Sequence, residues 1–332
     1  MIKKLLTTAA LTALMAVSAF AADDKPAIVF DIGGKFDKSF NESMYNGSEK
    51  FKAESGIAYG EFEIANEAQR EQAIRNFADQ GYSPIVAAGF AQASALEKVA
   101  KEYPDLKFAI IDMVVDLPNV QSIVFKEQEG SYLVGMMAAM ASKSGKVGFV
   151  GGMDIPLIHK FACGYAQGVK AAKADATIFQ NMTGDTGAAW NDPVKGGEIT
   201  KGQMAQGADV VYAAAGATGL GVLQAAADGG ALSIGVDANQ NYLHPGKVLT
   251  SMLKRVDVAV YNVMKSGKEG TFKGGIQALG LAEDGVGYAM DDNNKPLVTA
   301  EMTAAVEKAK ADIISGAVKV HDYMEDNKCP VE

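Results

Sequence analysis

Short, continuously apolar segments alternate with longer helical ones along this chain, and that alternation limits its fold more than any other feature. AIVFD at 27–31 reads as a strand leading into a polar turn. The helix after it is expected from about Ser39 to Glu54, with Met44, Gly47, Ser48 and Phe51 along one face. Strands follow at 60–65, 84–88, 107–115 and 120–125, with helices at 67–80 and 91–102. The pattern then restarts: strands at 146–150, 177–181, 209–213 and 231–236, with helices at 127–142, 157–172, 194–205 and 220–227. Two more helices are expected at 256–265 and 300–315. Strands that are apolar along their whole length are buried on both faces, as in parallel sheets covered by helices. The fold class is α/β.

The chain also echoes itself. IVAAG at 85–89 opens a helix and leads to FAIID, ending at Asp112. VVYAAAG at 210–216 opens a helix and leads to SIGVD, ending at Asp237. Each half therefore carries a strand, a glycine turn, a helix and a strand with an acid at its carboxyl end. Two doubly wound parallel-sheet lobes fit this better than one long sheet. Ligands of open α/β sheets sit outside the carboxyl ends of strands. Asp31, Asp112 and Asp237 lie at such ends, so two lobes facing across a cleft would bring them together.

The first residues read as a leader. Lys3 and Lys4 precede an apolar run from Leu5 to Phe20, and Ala19-Phe20-Ala21 has the small-x-small form of a signal-peptidase site. Cleavage after Ala21 leaves 311 of 332 residues and takes the formal charge from −9 to −11. No Cys follows the cleavage site, so the expectation is a periplasmic protein without a lipid anchor. An acidic chain has no broad basic face for a phosphate backbone, which argues against nucleic acid as partner. With 48% hydrophobic residues and 36 Gly, the chain can build large cores and is not disordered. At roughly 150 residues per domain, two domains are expected. Cys163 and Cys329 are the only cysteines. In an oxidising compartment a pair is more often bridged than free, and the tail after the last helix is long enough to bring Cys329 to the helix of Cys163. A buried thiol beside a free tail cysteine stays open as the alternative.

Catalytic signatures are missing from the sequence. It holds no phosphate-binding P-loop and no G-x-S-x-G nucleophile elbow. The glycines at 148–152 and 216–221 miss the dinucleotide spacing, so no nucleotide cofactor is expected. His159, His244 and His321 are scattered, and the acidic stretch at 291–295 lacks the glycine and glutamate of a calcium loop, so no metal is expected. Met136, Met137 and Met140 read as core filler. The residues point to a binder.

Several stretches together resemble the basic membrane protein family, the purine-nucleoside-receptor branch of substrate-binding proteins. They are FDIGGKFDKSFNE at 30–42, AIID at 109–112, FACGYAQGV at 161–169, GVD at 235–237 and SMLK at 251–254. The likeness spans essentially all of the chain after the leader, and the D-x-S-F-N segment at 37–41 is its most specific part. The resemblance implies a bilobed type I periplasmic binding protein that delivers nucleosides to the membrane subunits of an ABC-type importer.

It also implies a site. Phe40 and Trp190 would sandwich the base, a contact worth about 1–3 kcal/mol per base. Asp237 would accept from the ribose hydroxyls, and Lys254 would donate to the sugar while balancing the charge of Asp237. Asp112 would read the Watson–Crick edge of a purine, Asp31 and Asn41 would complete the contacts, and Gly216 would allow close backbone approach. Asp37 and Ser39 fit a helix-capping role instead. The lobes would be discontinuous, 22–125 with 255–277 and 126–254 with 278–332, in a monomer. A nucleobase, a flavin and an exported nucleoside hydrolase are the other readings of this cleft.

Overall fold

The computed structural model describes residues 25–331. The expected leader, 1–21, lies outside the described residues. Two six-stranded sheets organise the chain. The first contains β1 (Ala27–Phe30), β2 (Gly60–Glu63), β3 (Ile85–Ala87), β4 (Phe108–Ile111), β5 (Val120–Phe125) and β11 (Gly275–Leu279). Its spatial order is β11-β5-β4-β3-β1-β2, and every pair is parallel. The second contains β6 (Lys146–Met153), β7 (Thr177–Gly184), β8 (Val210–Ala214), β9 (Leu232–Asp237), β10 (Val248–Lys254) and β12 (Val286–Tyr288). Its order is β12-β10-β9-β8-β6-β7, with only β12 antiparallel.

Helices cover both faces of each sheet, and the two-residue period of the strands decides which helix each side chain meets. In the first sheet Ile28, Phe30, Val86, Ala109 and Ile111 pack with α1 (Phe40–Ser55) and α8 (Val256–Lys268). Ala27, Val29, Ile85, Ala87, Phe108 and Ile110 face α2 (Arg70–Asp79) and α3 (Ala93–Glu102). Both sets are fully buried, which is why these strands read as unbroken apolar runs. In the second lobe α4 (Glu127–Ala141) packs on α5 (Pro156–Ala172) and α9 (Ala300–Ile314), and α6 (Pro193–Ala205) packs on α7 (Thr218–Asp228). No described helix is long and apolar enough to cross a membrane.

Two departures from the sequence reading have physical causes. The strand expected at 107–115 ends at Ile111, because Asp112 turns into the left-handed region at φ 70° and Val114 is exposed. The edge strands β11 and β12 gave no apolar run to read, since β11 is exposed along most of its length. They matter all the same, because the chain passes between the sheets three times: after Phe125, after Lys254, and between Leu279 and Val286. Cys163, on α5, is bonded to Cys329 of the C-terminal segment, with Cα atoms 5.5 Å apart.

The ligand cleft as candidate functional site

The carboxyl ends of the parallel strands face one another across a cleft with about 650 Å³ of empty space, part of it open to solvent. One wall comes from the first sheet. Asp31 follows β1, Phe40 and Asn41 open α1, and Asp112 follows β4. The facing wall holds Trp190 from the loop before α6, Gly216 after β8, Asp237 at the end of β9 and Lys254 at the end of β10. The structure thus gathers all eight residues singled out in the sequence into one cavity. The lobes also touch directly: the Ser39 hydroxyl donates to the Asp237 carboxylate, and Gln240 donates to the Lys38 carbonyl at 2.9 Å.

Asp112 and Asp237 hold equivalent places in the two lobes, each just at the end of its strand with positive φ, 70° and 64°. Aspartate tolerates this conformation better than most residues, yet it still costs of the order of 1–3 kcal/mol, and such strain gathers at binding sites. Both carboxyls are buried, which raises the pKa of Asp237 and pushes that of Asp112 up to about 6 against the pull of Lys254. Oδ1 of Asp112 is buried and has no hydrogen-bond partner among the described residues. A buried acceptor without a donor, lining a cleft, is one a ligand can satisfy.

Lys254 departs from its expected pairing. Its ammonium lies 2.7 Å from Asp112 and 2.9 Å from Glu127, not on Asp237. Asp237 sits near enough to feel its charge, but its bonded partner is Ser39. Burial works against the lysine charge, and the carboxylates of Asp112 and Glu127 overcome it, so its pKa rises. The Phe40, Phe125 and Phe161 rings ring the ammonium at 5.1–5.5 Å from their centroids, a cation–π setting that suits a desolvated charge. Asp112 is tied to Lys254 through Oδ2, which leaves Oδ1 to meet a ligand.

At the other end, Asn41 and Asp31 bind each other through backbone and side chain, and Arg70 donates to Asp31 at 3.1 Å. Burial raises the Asp31 pKa, partly offset by the Ile32 amide and by Arg70. Trp190 lies against Gly152 of β6. A Cβ built at Gly152 would fall 2.2 Å from the indole, so the ring occupies the space that any other residue would fill. Gly216, at φ 56°, sits under the Trp190 backbone, where an added Cβ would lie 3.4 Å from its carbonyl.

Sequence reasoning placed Asp37 and Ser39 together as caps. Asp37 does cap α1, accepting from the amides of Ser39, Asn41 and Glu42 at 2.8, 3.0 and 3.1 Å. It is also buried in the cleft wall, and burial pushes its pKa up to about 7. Ser39 makes no side-chain cap bond and instead reaches Asp237 across the cleft. Glu127 and Arg70 went unread. Glu127 and Glu129 both open the otherwise apolar helix α4, which gives no signal to single out Glu127, and nothing in the sequence marks Arg70.

Residues 25–323 match the Bmp family, described as PnrA-like ABC transporter substrate-binding proteins. The chain is 34% identical over 324 residues to a protein of Lactococcus lactis named ABC transporter nucleoside-binding protein BmpA, covering 90% of this chain and 89% of that one. It is 38% identical over 283 residues to an uncharacterized lipoprotein of Pyrococcus abyssi, covering 80% of this chain and 68% of the relative. That name conflicts with the expectation of a chain without a lipid anchor, and the expectation is withdrawn. A crystal structure of an ABC transporter solute-binding protein from Aeropyrum pernix K1 superposes with a TM-score of 0.82 at 32% identity, covering 89% of this chain and 92% of that one. With its two parallel α/β sheets and a cleft between them, the chain belongs to the Bmp family of ABC transporter substrate-binding proteins.

Proposed function

We propose that this protein captures a purine nucleoside between its lobes, outside the cytoplasmic membrane, and delivers it intact to the membrane subunits of an ABC importer. One observation carries the reading: a single cleft brings two aromatic rings, a side-chain amide and charges of both signs together. Phe40 and Trp190 suit the two faces of a flat base, with Asp31 and Asn41 at its edge. Asp112, Asp237 and Lys254 suit a ribose, whose hydroxyls both donate and accept. This moves Asp112 from the base edge to the sugar, which its 2.7 Å pairing with Lys254 favours. The name of the Lactococcus relative supports the ligand class. The backbone crossings after Phe125 and Lys254 and between Leu279 and Val286 suit a hinge about which the lobes, 22–125 with 255–277 and 126–254 with 278–332, would close.

Incubation with inosine, followed by a thermal melt and chromatography of the ligand, tests this. A raised Tm with inosine recovered whole is expected. Release of hypoxanthine would turn the reading toward a nucleoside hydrolase, and no shift with any purine nucleoside would refute it.

A further inference from the structure

Behind the cleft, five charged side chains alternate in sign along one path. Asp112 pairs with Lys254 at 2.7 Å, Lys254 with Glu127 at 2.9 Å, Glu127 with Lys160 at 3.0 Å, and Lys160 with Asp322 at 3.2 Å. The inner four side chains are between 1% and 8% exposed, and Asp322 is 23% exposed. A row of buried ions is costly to assemble and is kept only where each has its partner. Three of the five lie where the chain passes between the lobes. Glu127 follows the first crossing, Lys254 precedes the second, and Lys160 donates to the carbonyl of Phe125 at 2.7 Å.

The outer end belongs to a C-terminal strap laid along α5. His321 exchanges two backbone bonds with the Gln167 side chain, at 2.9 and 3.0 Å, and Tyr323 stacks on His159 with ring centroids 5.0 Å apart. Cys329 then bonds to Cys163 of the same helix. The strap is held on both sides of Asp322, so that carboxylate is delivered to Lys160 by construction.

We propose that Glu127, with Lys160 and Asp322 behind it, is a positioning residue for the sugar end of the cleft; this rests on the nucleoside reading above. An ammonium has three protons. Asp112 accepts one of those of Lys254 at 2.7 Å, and the Glu127 carboxylate holds the ammonium in place as an ion pair at 2.9 Å, which leaves a proton to be aimed at the ligand. Glu127 opens α4, where the helix dipole favours a negative charge, and Lys160 fixes its second oxygen. Without that charge, Lys254 is drawn wholly onto Asp112 and Asp237. Their acceptor atoms are then occupied and no longer offered to the ribose. The Phe40 ring centroid lies 5.2 Å from the same ammonium, whereas Trp190, Asp31 and Asn41 make no described contact with the row, so base binding stays.

Calorimetry with inosine and with 2′,3′-dideoxyinosine, which lacks both ring hydroxyls, tests the proposal on wild type, Glu127→Gln and Asp322→Asn. Glu127→Gln is expected to weaken inosine binding about tenfold or more while changing dideoxyinosine little. Asp322→Asn, at the outer end, is expected to shift the same preference in the same direction by a few fold. It also carries the test should Glu127→Gln fail to fold. Equal losses for both ligands would mean that Glu127 only supports the fold, and unchanged inosine affinity would remove it from the site; either overturns the proposal. A wild type that binds no inosine defeats the nucleoside reading itself, an outcome distinct from both.

Discussion

The ammonium of Lys254 lies 2.7 Å from the carboxylate of Asp112, so the ends of two strands in different sheets are joined by an ion pair inside the cleft. Lys254→Met removes the cation and leaves Asp112 and Glu127 buried without it. Breaking a buried pair on one side costs about 3–5 kcal/mol. The melting temperature of the ligand-free protein should fall clearly, and nucleoside binding should be lost together with it. A variant that melts and binds like wild type would show that the pair carries neither role.

The aromatic end gives a second expectation. Phe40→Ala and Trp190→Ala should each weaken binding by about 1–3 kcal/mol, roughly ten- to hundredfold, without unfolding the protein. Gly152→Ala should imitate Trp190→Ala although it touches no ligand, because its methyl group would displace the indole. Indole fluorescence reports the displacement directly, since Trp190 is the only tryptophan. Unaltered fluorescence and affinity in Gly152→Ala would argue against a seated ring.

Much of this was legible in the sequence, and the limits have reasons. The sheets could be read because their central strands are apolar on both faces. β11 could not, because an exposed edge strand has no such signal. Asp112 and Asp237 stood out as acids at strand ends. Their partners did not, because pairing across a cleft joins residues separated by 142 positions for Lys254 and Asp112 and by 198 for Ser39 and Asp237. Ser39 was read as a local cap, since short-range rules cannot see the facing lobe. Glu127 shows the same limit: its charge is visible in the sequence, its two lysines are not.

Burial raises the pKa of Asp37 from 3.8 to about 7. An acid raised on folding contributes stability that is fully present below its unfolded value and is lost as the pH rises through its folded one. The melting temperature of the ligand-free protein should therefore decline from about pH 4 to about pH 7. In Asp37→Asn, which does not titrate, that decline should be shallower. Parallel profiles for the two proteins would mean that Asp37 is not the group responsible.

The bond between Cys163 and Cys329 closes a loop spanning 166 positions. In the chain-entropy model such a loop stabilises by up to about 5 kcal/mol. Reduction should lower the melting temperature and loosen the strap around Asp322. Thiol titration of unreduced, denatured protein should find no free thiol, and two per chain would contradict the bonded pair.

The central claim is that the charged end of the cleft recognises ribose, and calorimetry of guanosine against 2′-deoxyguanosine and guanine tests it most directly. A buried acceptor left without its donor costs about 1–3 kcal/mol. Binding should therefore be roughly ten- to hundredfold weaker for 2′-deoxyguanosine than for guanosine, weaker again for guanine, with a narrower gap in Asp237→Asn. Guanine binding as tightly as guanosine would contradict it.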